Sequence, residues 1–233
     1  MSILKKVLIV FTILVVLVAS LAFDAFYSAP SRFTVRYETL ESIYIPEGLS
    51  DTSILFFSDL KYGPFMKEQR LQKLVQAINS LSPDIVIFGG DLFADDYKPS
   101  EDDKNVAKTT LKEICAPLGK FAVLGDTDQE TLDDMGTNKG LLYEADFEVL
   151  DNKSISIRNF GSDSITLVGL QNSVNGYADI TTAYENISRS SFTIAICHTP
   201  DTAKDVPTDL TKYFLAGHSL GGQVYYGLGS LYT

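Results

Sequence analysis

Short apolar runs alternate with segments of helical spacing from residue 52 onward. "SILFFSD" is followed by "MKEQRLQKLVQAINSL", in which apolar residues recur every three or four positions, and then by "DIVIFGGD". "KNVAKTTLKEICAPL" and "KFAVLGD" continue the alternation. Apolar runs of this length indicate buried strands, and strands alternating with helices at this spacing predict βαβ units and a parallel sheet.

The second half of the chain is richer in strands. "SISIRNF" and "SITLVGLQ" flank the turn "GSD" and predict a strand pair, whereas "YADITTAYENIS" predicts a helix. "FTIAICH" and "KYFLAGH" predict two further buried strands, and "FTVRYETLESIYI" alternates apolar and polar residues as an edge strand does. The expected fold is therefore α/β, with a mixed sheet system and helices outside it.

Composition limits the possible partners. The chain has 233 residues, 45% of them hydrophobic and 21% charged, which suits one packed domain. Its formal net charge of -11 argues against a basic nucleic-acid surface, so no nucleic-acid partner is expected. Cys115 and Cys197 are the only cysteines, and they predict neither a disulfide framework nor a cysteine metal site.

An uncharged apolar run follows "MSILKK" at the N-terminus and extends to residue 23. Its length is near the lower end of what spans a bilayer, and Lys5 and Lys6 predict a cytoplasmic N-terminus. We expect a single-pass cell-membrane protein with its domain on the extracytoplasmic side. A cleaved signal peptide is the alternative, because Val18-Ala19-Ser20 resembles a cleavage site. The predicted anchor, linker and domain occupy residues 1–23, 24–32 and 33–233.

Five predicted strands end in a potential metal ligand or are followed closely by one. Ligands bind α/β sheets at the carboxyl ends of parallel strands, so these side chains are expected to converge. Aspartate favours turns, which explains one or two of the acids. It does not explain the histidines, which are the only two in the chain and both follow apolar runs. The predicted metal ligands are Asp59, Asp91, Asp126, His198 and His218.

The segment "LAGHSLGGQV" has a second interpretation, because it fits the G-x-S-x-G nucleophile elbow with Ser219 as nucleophile. In α/β-hydrolases the acid and the histidine follow the serine. The eleven residues after Gly222 contain no Asp, Glu or His, and His198 precedes Ser219. A serine hydrolase would therefore need a different order of triad residues, and a metal-binding turn is the favoured interpretation.

Together, "SDLK", "GGDLFADD", "LGDTDQE", "CHTPD" and "AGHSLGGQV" resemble the five sequence blocks of the calcineurin-like metallophosphoesterases. Those blocks read D-x-H, G-D-x-x-D, G-N-H-D/E, H and G-H-x-H-G-G-Q. The similarity extends from about residue 33 to the end of the chain. With the apolar N-terminus, the chain resembles the membrane-anchored bacterial branch. The resemblance implies a four-layer α/β/β/α sandwich that holds two metals at its strand ends.

One of the two metal sites implied by the resemblance lacks two ligands. Asp59 and Asp91 are present, but Lys61 and Leu220 stand where the family has histidines. Leucine offers no lone pair, and a lysine ammonium cannot ligate a metal. We expect the Lys61 ammonium either to lie between Asp59 and Asp91, where it would replace the charge of a lost cation, or to point to solvent.

The other implied metal site keeps four potential ligands, Asp91, Asp126, His198 and His218, with Asp126 in place of an asparagine. Two carboxylates and two imidazoles suit Mn²⁺, Fe²⁺ or Zn²⁺, so we expect one divalent metal rather than two. Thr127 replaces the family histidine that is expected to protonate the leaving group or hold the phosphate. No catalytic residue can therefore be assigned from the sequence.

The resemblance implies a phosphohydrolase that cleaves a phosphomonoester or phosphodiester with a metal-activated water, weakly because ligands are missing. Its substrate would be a phosphorylated small molecule or a lipid head group. The alternative is a catalytically inactive relative that acts as a binding or scaffold protein. We expect Asp95 and Asp96 to be loop residues or to support the ligands. Asp128 matches the family's acid after G-N-H, and a turn role is the alternative. We also expect either a domain that is shortened after "GGQV" or a fragment.

Overall fold

The computed structural model describes residues 3–24, 33–64, 66–159, 161, 163–219, 225–226 and 229–230. The chain divides into two compact units, residues 1–38 and 39–233. The first unit contains helix α1 (Ile3–Phe23), which buries none of its side chains. Its length and composition suffice to cross a membrane, a condition that N-terminal signal sequences also meet.

The first sheet of the second unit is entirely parallel, as the alternation of strands and helices predicted. Its strands lie side by side in chain order: β1 (Ile54–Phe57), β2 (Ile85–Phe88), β3 (Gly119–Ala122) and β4 (Glu148–Val149). Three helices connect them: α2 (Glu68–Ser80), α3 (Glu101–Lys112) and α4 (Leu132–Glu144).

The second sheet is mixed and also follows chain order. Its strands are β5 (Lys153–Ile157), β6 (Ile165–Leu170), β7 (Phe192–Cys197) and β8 (Tyr213–Ala216). The first two pair antiparallel across the predicted turn, and the last three are parallel to one another. Further elements are α5 (Ile180–Ala183), the 3-10 turns Glu47–Leu49, Thr127–Gln129 and Pro200–Lys204, and the antiparallel pair β9 (Tyr225–Tyr226) and β10 (Gly229–Ser230).

Alternating side chains of the strands build the layers. In β2, Ile85 and Ile87 pack in the core between the two sheets, whereas Val86 and Phe88 pack against the helices. The outer faces of β6 and β7 are covered by a smaller cluster that includes Ala183 of α5. The layers are therefore helices, sheet, sheet and helix, which is the expected α/β/β/α arrangement.

Two predictions of secondary structure need correction. Residues 33–42 form no strand, and Val35 and Tyr37 are exposed there, so the alternation of apolar residues in that segment did not lead to strand pairing. The helix predicted in "YADITTAYENIS" is reduced to the four residues of α5, which Asp179 caps at its N-terminus through the backbone N–H of Thr182. Residues 33–42 have no strand partner among the described residues, so their alternating pattern alone does not produce a strand.

Candidate metal centre

The carboxyl ends of five strands meet where the two sheets approach each other, and all five predicted ligands lie there. Asp59, Asp91 and Asp126 follow β1, β2 and β3, and His198 and His218 follow β7 and β8. Potential ligand atoms fall into two groups, each with its atoms within 4.8 Å of one another, and His198 belongs to both. The groups are Asp126, His198 and His218, and Asp59, Asp91 and His198.

His198 is fully buried and reaches across from the second sheet to the first. Its Nδ1 lies 2.7 Å from the carbonyl oxygen of Gly89, and since a carbonyl can only accept, Nδ1 carries a proton. Its Nε2 lies 3.2 Å from Asp91 Oδ2 and 3.2 Å from Asp126 Oδ1. Fixing one ring nitrogen by a backbone carbonyl presents the other as a metal ligand.

Burial and neighbouring charges act in opposite directions on His198 and Asp91. Burial lowers the pKa of His198, but its close contact with the charged carboxylate of Asp91 outweighs burial and raises the pKa to about 9. Burial raises the pKa of Asp91, but His198 and then Lys61 outweigh it and lower the pKa below its usual range. Without a metal, the centre therefore holds an ionised Asp91 that attracts positive charge.

His218 closes the open side of the centre. Its side chain is 41% exposed, and its Nδ1 lies 3.1 Å from Asp126 Oδ1. Its backbone N–H donates to Asp59 Oδ2 at 3.1 Å, which ties the loop after β8 to the loop after β1. The rings of His198 and His218 are 5.3 Å apart and nearly perpendicular, so both imidazoles border the same space.

Thr127, at a position where the resemblance implies a histidine, contacts Asp91 directly. Its backbone N–H and its hydroxyl lie 3.1 and 3.0 Å from Asp91 Oδ1. The hydroxyl is also 3.1 Å from the carbonyl oxygen of Phe93, to which it can donate. Thr127 therefore orients the Asp91 carboxylate, and its hydroxyl does not titrate near neutral pH as the imidazole would.

Asp128, which matches the acid of the G-N-H-D/E block, supports the loops of the centre. Its fully buried carboxylate accepts backbone N–H groups of Asp91, Leu92 and Gly125 at 2.8, 2.9 and 2.9 Å. Burial raises the pKa of Asp128 to about 6, and the three N–H donors oppose that rise. Asp128 thus joins the loops after β2 and β3, a contact across the chain that the sequence block did not predict.

Glycines permit the close approach of the loops that carry the ligands. A Cβ on Gly125 would lie 2.0 Å from Asp91 Oδ1 and 2.6 Å from the Asp91 nitrogen. A Cβ on Gly217 would lie 2.3 Å from Ser58 Oγ and 2.8 Å from Asp59 Oδ2. Any larger residue at either position would displace a predicted ligand.

Lys61 lies in the centre, but its ammonium neither bridges Asp59 and Asp91 nor points to solvent, which were the two expectations from the sequence. Its Nζ is 2.7 Å from Asp91 Oδ2 and 2.6 Å from Asp95 Oδ1, so it bridges Asp91 and Asp95 rather than Asp59 and Asp91. Burial lowers the pKa of Lys61, but Asp91 and Asp95 outweigh it and the net direction is upward. Leu220 and "GGQV" fall outside the described residues.

Ser219, the nucleophile of the alternative interpretation, is exposed next to His218, and its backbone N–H donates to Gly217. The ring nitrogens of His198 and His218 face a carbonyl and carboxylates instead. Among the described residues, no hydrogen bond joins the Ser219 hydroxyl to either histidine ring, so the contact that a serine nucleophile needs with its base is not formed.

Two buried polar atoms in the centre lack a hydrogen-bond partner among the described residues. They are Asp59 Oδ1 and His198 Nε2, which lie 3.9 Å apart. His198 Nε2 is 3.2 Å from carboxylate oxygens of Asp91 and Asp126 but is not aligned for a hydrogen bond with either. A buried carboxylate oxygen without a partner is costly unless it binds something. Carboxylate oxygens and imidazole nitrogens are ligands of divalent transition metals, so the residues of the centre fit such an ion.

Comparison with known proteins agrees with this geometry. The family model described as "Calcineurin-like phosphoesterase" matches residues 52–220. The uncharacterized metallophosphoesterase YkuE of Bacillus subtilis (strain 168) is 27% identical over 89% of this chain and 74% of its own length. A transmembrane protein with metallophosphoesterase domain from Danio rerio is 27% identical over 78% of this chain and 43% of its own length. UDP-2,3-diacylglucosamine pyrophosphatase LpxG of Chlamydia muridarum is 26% identical over 73% of this chain and 64% of its own length.

Proposed function

Because the chain belongs to the calcineurin-like phosphoesterase family, we propose that it is a phosphohydrolase that cleaves a phosphomonoester or phosphodiester with one divalent metal. The observation that carries the proposal is the convergence of Asp126, His198 and His218, whose ligand atoms lie within 4.8 Å of one another. With Asp91 these side chains supply four potential ligands from both sheets, and an ion that takes more than four ligands would keep a position for a substrate oxygen.

Asp126, His198 and His218, with Asp91, would hold the metal, and the unpaired Asp59 Oδ1 lies beside them. Mn²⁺, Fe²⁺ and Zn²⁺ all suit this donor set. When bound, such an ion lowers the pKa of a water molecule and polarises a phosphoryl oxygen.

The protein's own residues hold the ligands in place and set a limit on the rate. Asp128 and Thr127 fix the backbone and the carboxylate of Asp91, and Gly89 fixes the ring of His198. Thr127 offers no group that titrates near neutral pH, so the leaving group takes its proton from solvent. The lack of a positioned general acid costs about 10²–10⁴-fold, so the activity should be weak.

We propose a phosphorylated lipid head group or small molecule as the substrate, presented at a membrane. The apolar helix α1 supports attachment to the membrane, and Lys5 and Lys6 before the apolar run support a domain on the extracytoplasmic side. The name of the chlamydial relative, a UDP-2,3-diacylglucosamine pyrophosphatase, supports a substrate with a phosphate linkage on a lipid.

Hydrolysis of a generic phosphodiester and a generic phosphomonoester, with Mn²⁺ added, tests the function. The full-length chain in detergent is compared with Asp91→Asn, which removes a charge at the centre with little change in shape. We expect metal-dependent hydrolysis by the wild-type chain and a loss of about 100-fold or more in the variant.

Two controls accompany the assay. Asp51→Asn makes the same chemical change at an exposed turn ahead of β1, and Ser219→Ala removes the hydroxyl of the alternative nucleophile. Both should hydrolyse at the wild-type rate. Equal rates for the wild-type chain and Asp91→Asn would instead favour a binding or scaffold protein, and labelling of Ser219 by a fluorophosphonate would favour a serine hydrolase.

A further inference from the structure

The backbone around Lys61 is held tightly against the loop after β2. The N–H of Lys61 donates to the Asp91 carbonyl at 3.0 Å, and the N–H of Tyr62 donates to the Leu92 carbonyl at 2.8 Å. Lys61 has a φ of 48° and Asp91 a φ of 63°, in the left-handed region that residues other than glycine rarely adopt. Such conformations concentrate at functional sites, where surrounding contacts maintain them. The backbone of Lys61, and with it the point from which its side chain extends, is therefore fixed by the fold.

The Lys61 ammonium fills the side of Asp91 that faces away from Thr127. Asp91 Oδ1 is held by Thr127, and Asp91 Oδ2 is 2.7 Å from Lys61 Nζ and 3.2 Å from His198 Nε2. The Lys61 side chain is 23% exposed and its second partner is Asp95, at 2.6 Å. An ammonium has three N–H donors, and these two acceptors among the described residues account for two of them. One donor is left for a ligand.

A second metal could bind on this side only by taking Asp91 Oδ2 from the ammonium. Two positive groups a few ångströms apart repel each other strongly inside a protein. Resting on the proposed function, we infer that Lys61 is a built-in cation that takes the place of a second metal and donates its third N–H to a non-bridging oxygen of the bound phosphate ester.

The replacement of a second metal ion by the Lys61 ammonium has chemical consequences. An ammonium carries one charge instead of two and has no empty orbital, so it attracts a phosphate oxygen without acting as a Lewis acid. Its charge does not depend on the supply of metal. The centre should therefore work with a single bound ion and should bind the phosphate group partly through Lys61.

Counting manganese ions tests the replacement directly. The full-length chain in detergent is titrated with Mn²⁺ and followed by calorimetry and electron paramagnetic resonance. We expect about one tight site per chain and the spectrum of an isolated Mn²⁺ ion. Lys61→His/Leu220→His supplies both histidines of the family motif, so it should bind a second ion and show a spin-coupled pair.

Binding of inorganic phosphate to the Mn²⁺-loaded chain tests the contact with substrate. Lys61→Gln, which removes the positive charge, should weaken phosphate binding about tenfold or more while the first Mn²⁺ still binds. Lys61→Arg keeps the charge and should retain most of the phosphate affinity. The comparison of these two variants separates lost charge from a disturbed fold.

The outcomes distinguish the two proposals. Two tight Mn²⁺ ions in the wild-type chain, or unchanged phosphate affinity in Lys61→Gln, would overturn the role of Lys61 and leave the hydrolase proposal in place. Loss of the first Mn²⁺ from Lys61→Gln would also overturn it, because Lys61 would then only position Asp91. A wild-type chain that binds no Mn²⁺ would remove the metal centre and both proposals with it.

Discussion

The two sides of the centre share His198 and Asp91 but differ in what completes them. On the histidine side, Asp126 and His218 offer ligand atoms to a metal, and the imidazole of His218 is partly open to solvent. On the lysine side, Asp91 Oδ2 is already paired with an ammonium. The fold brings both sets of residues to the same edge of the sheets. The topology therefore fixes where the centre lies, and the side chains on each side decide whether that side binds a metal.

Removal of His198 should have the largest effect, because both groups of ligand atoms contain it. We expect His198→Ala to lower Mn²⁺ affinity by more than about 100-fold, a larger loss than is typical for residues that only support a ligand. Calorimetric titration measures the affinity, and thermal unfolding of the metal-free variant separates a lost ligand from a lost fold. Wild-type affinity in a folded variant would mean that the histidine side is not the metal site.

Asp128→Asn should have an intermediate effect on Mn²⁺ affinity. It should affect both sides of the centre, because Asp128 holds the backbone of Asp91, which they share. The amide offers one acceptor oxygen to three backbone N–H groups and turns its own donors toward them. We expect the free energy of unfolding to fall by about 1–3 kcal/mol and Mn²⁺ affinity to fall about tenfold.

Chemical denaturation and metal titration measure these two quantities, with Asp51→Asn as the exposed control. A variant as stable as the control would show that the three N–H groups find other acceptors. Asp128 would then not be what holds the loops after β2 and β3 together.

Asp95→Asn should have the smallest effect, because Asp95 contacts the lysine side and its own side chain is 70% exposed. Exposed ion pairs contribute about 0–1 kcal/mol, so the free energy of unfolding should change by less than about 1 kcal/mol. The amount of bound Mn²⁺, measured by elemental analysis, should not change. If metal is lost, Asp95 is a ligand and the lysine side is a metal site after all.

The sequence predicted the sheets well because their signal is local. Apolar runs such as "IVIF" of β2 are buried on both faces, as strands between two layers must be. Helix α4 was missed, since Gly136 and Gly140 interrupt its pattern and each costs about 1 kcal/mol in helix propensity. The packing of Leu142 in the core compensates for that cost. The strand predicted before residue 46 failed because pairing depends on distant partners.

The centre was predictable to the level of its strand-end residues and not beyond. The ends of parallel strands share an edge, so Asp59, Asp91 and His198 could be placed together from the sequence. Lys61 contacts Asp95 as its second partner, although Asp95 lies in a turn 34 residues further along the chain. No local pattern in the sequence carries that information.

The most direct test of the account is the metal content of the purified full-length chain and of His218→Ala, measured by elemental analysis after dialysis. His218 belongs to the histidine side alone, and it is partly exposed, so its removal should leave the fold intact. We predict about one divalent metal ion per wild-type chain and a small fraction of that in His218→Ala. Equal metal content in the two proteins, or none in either, would contradict a metal centre on the histidine side.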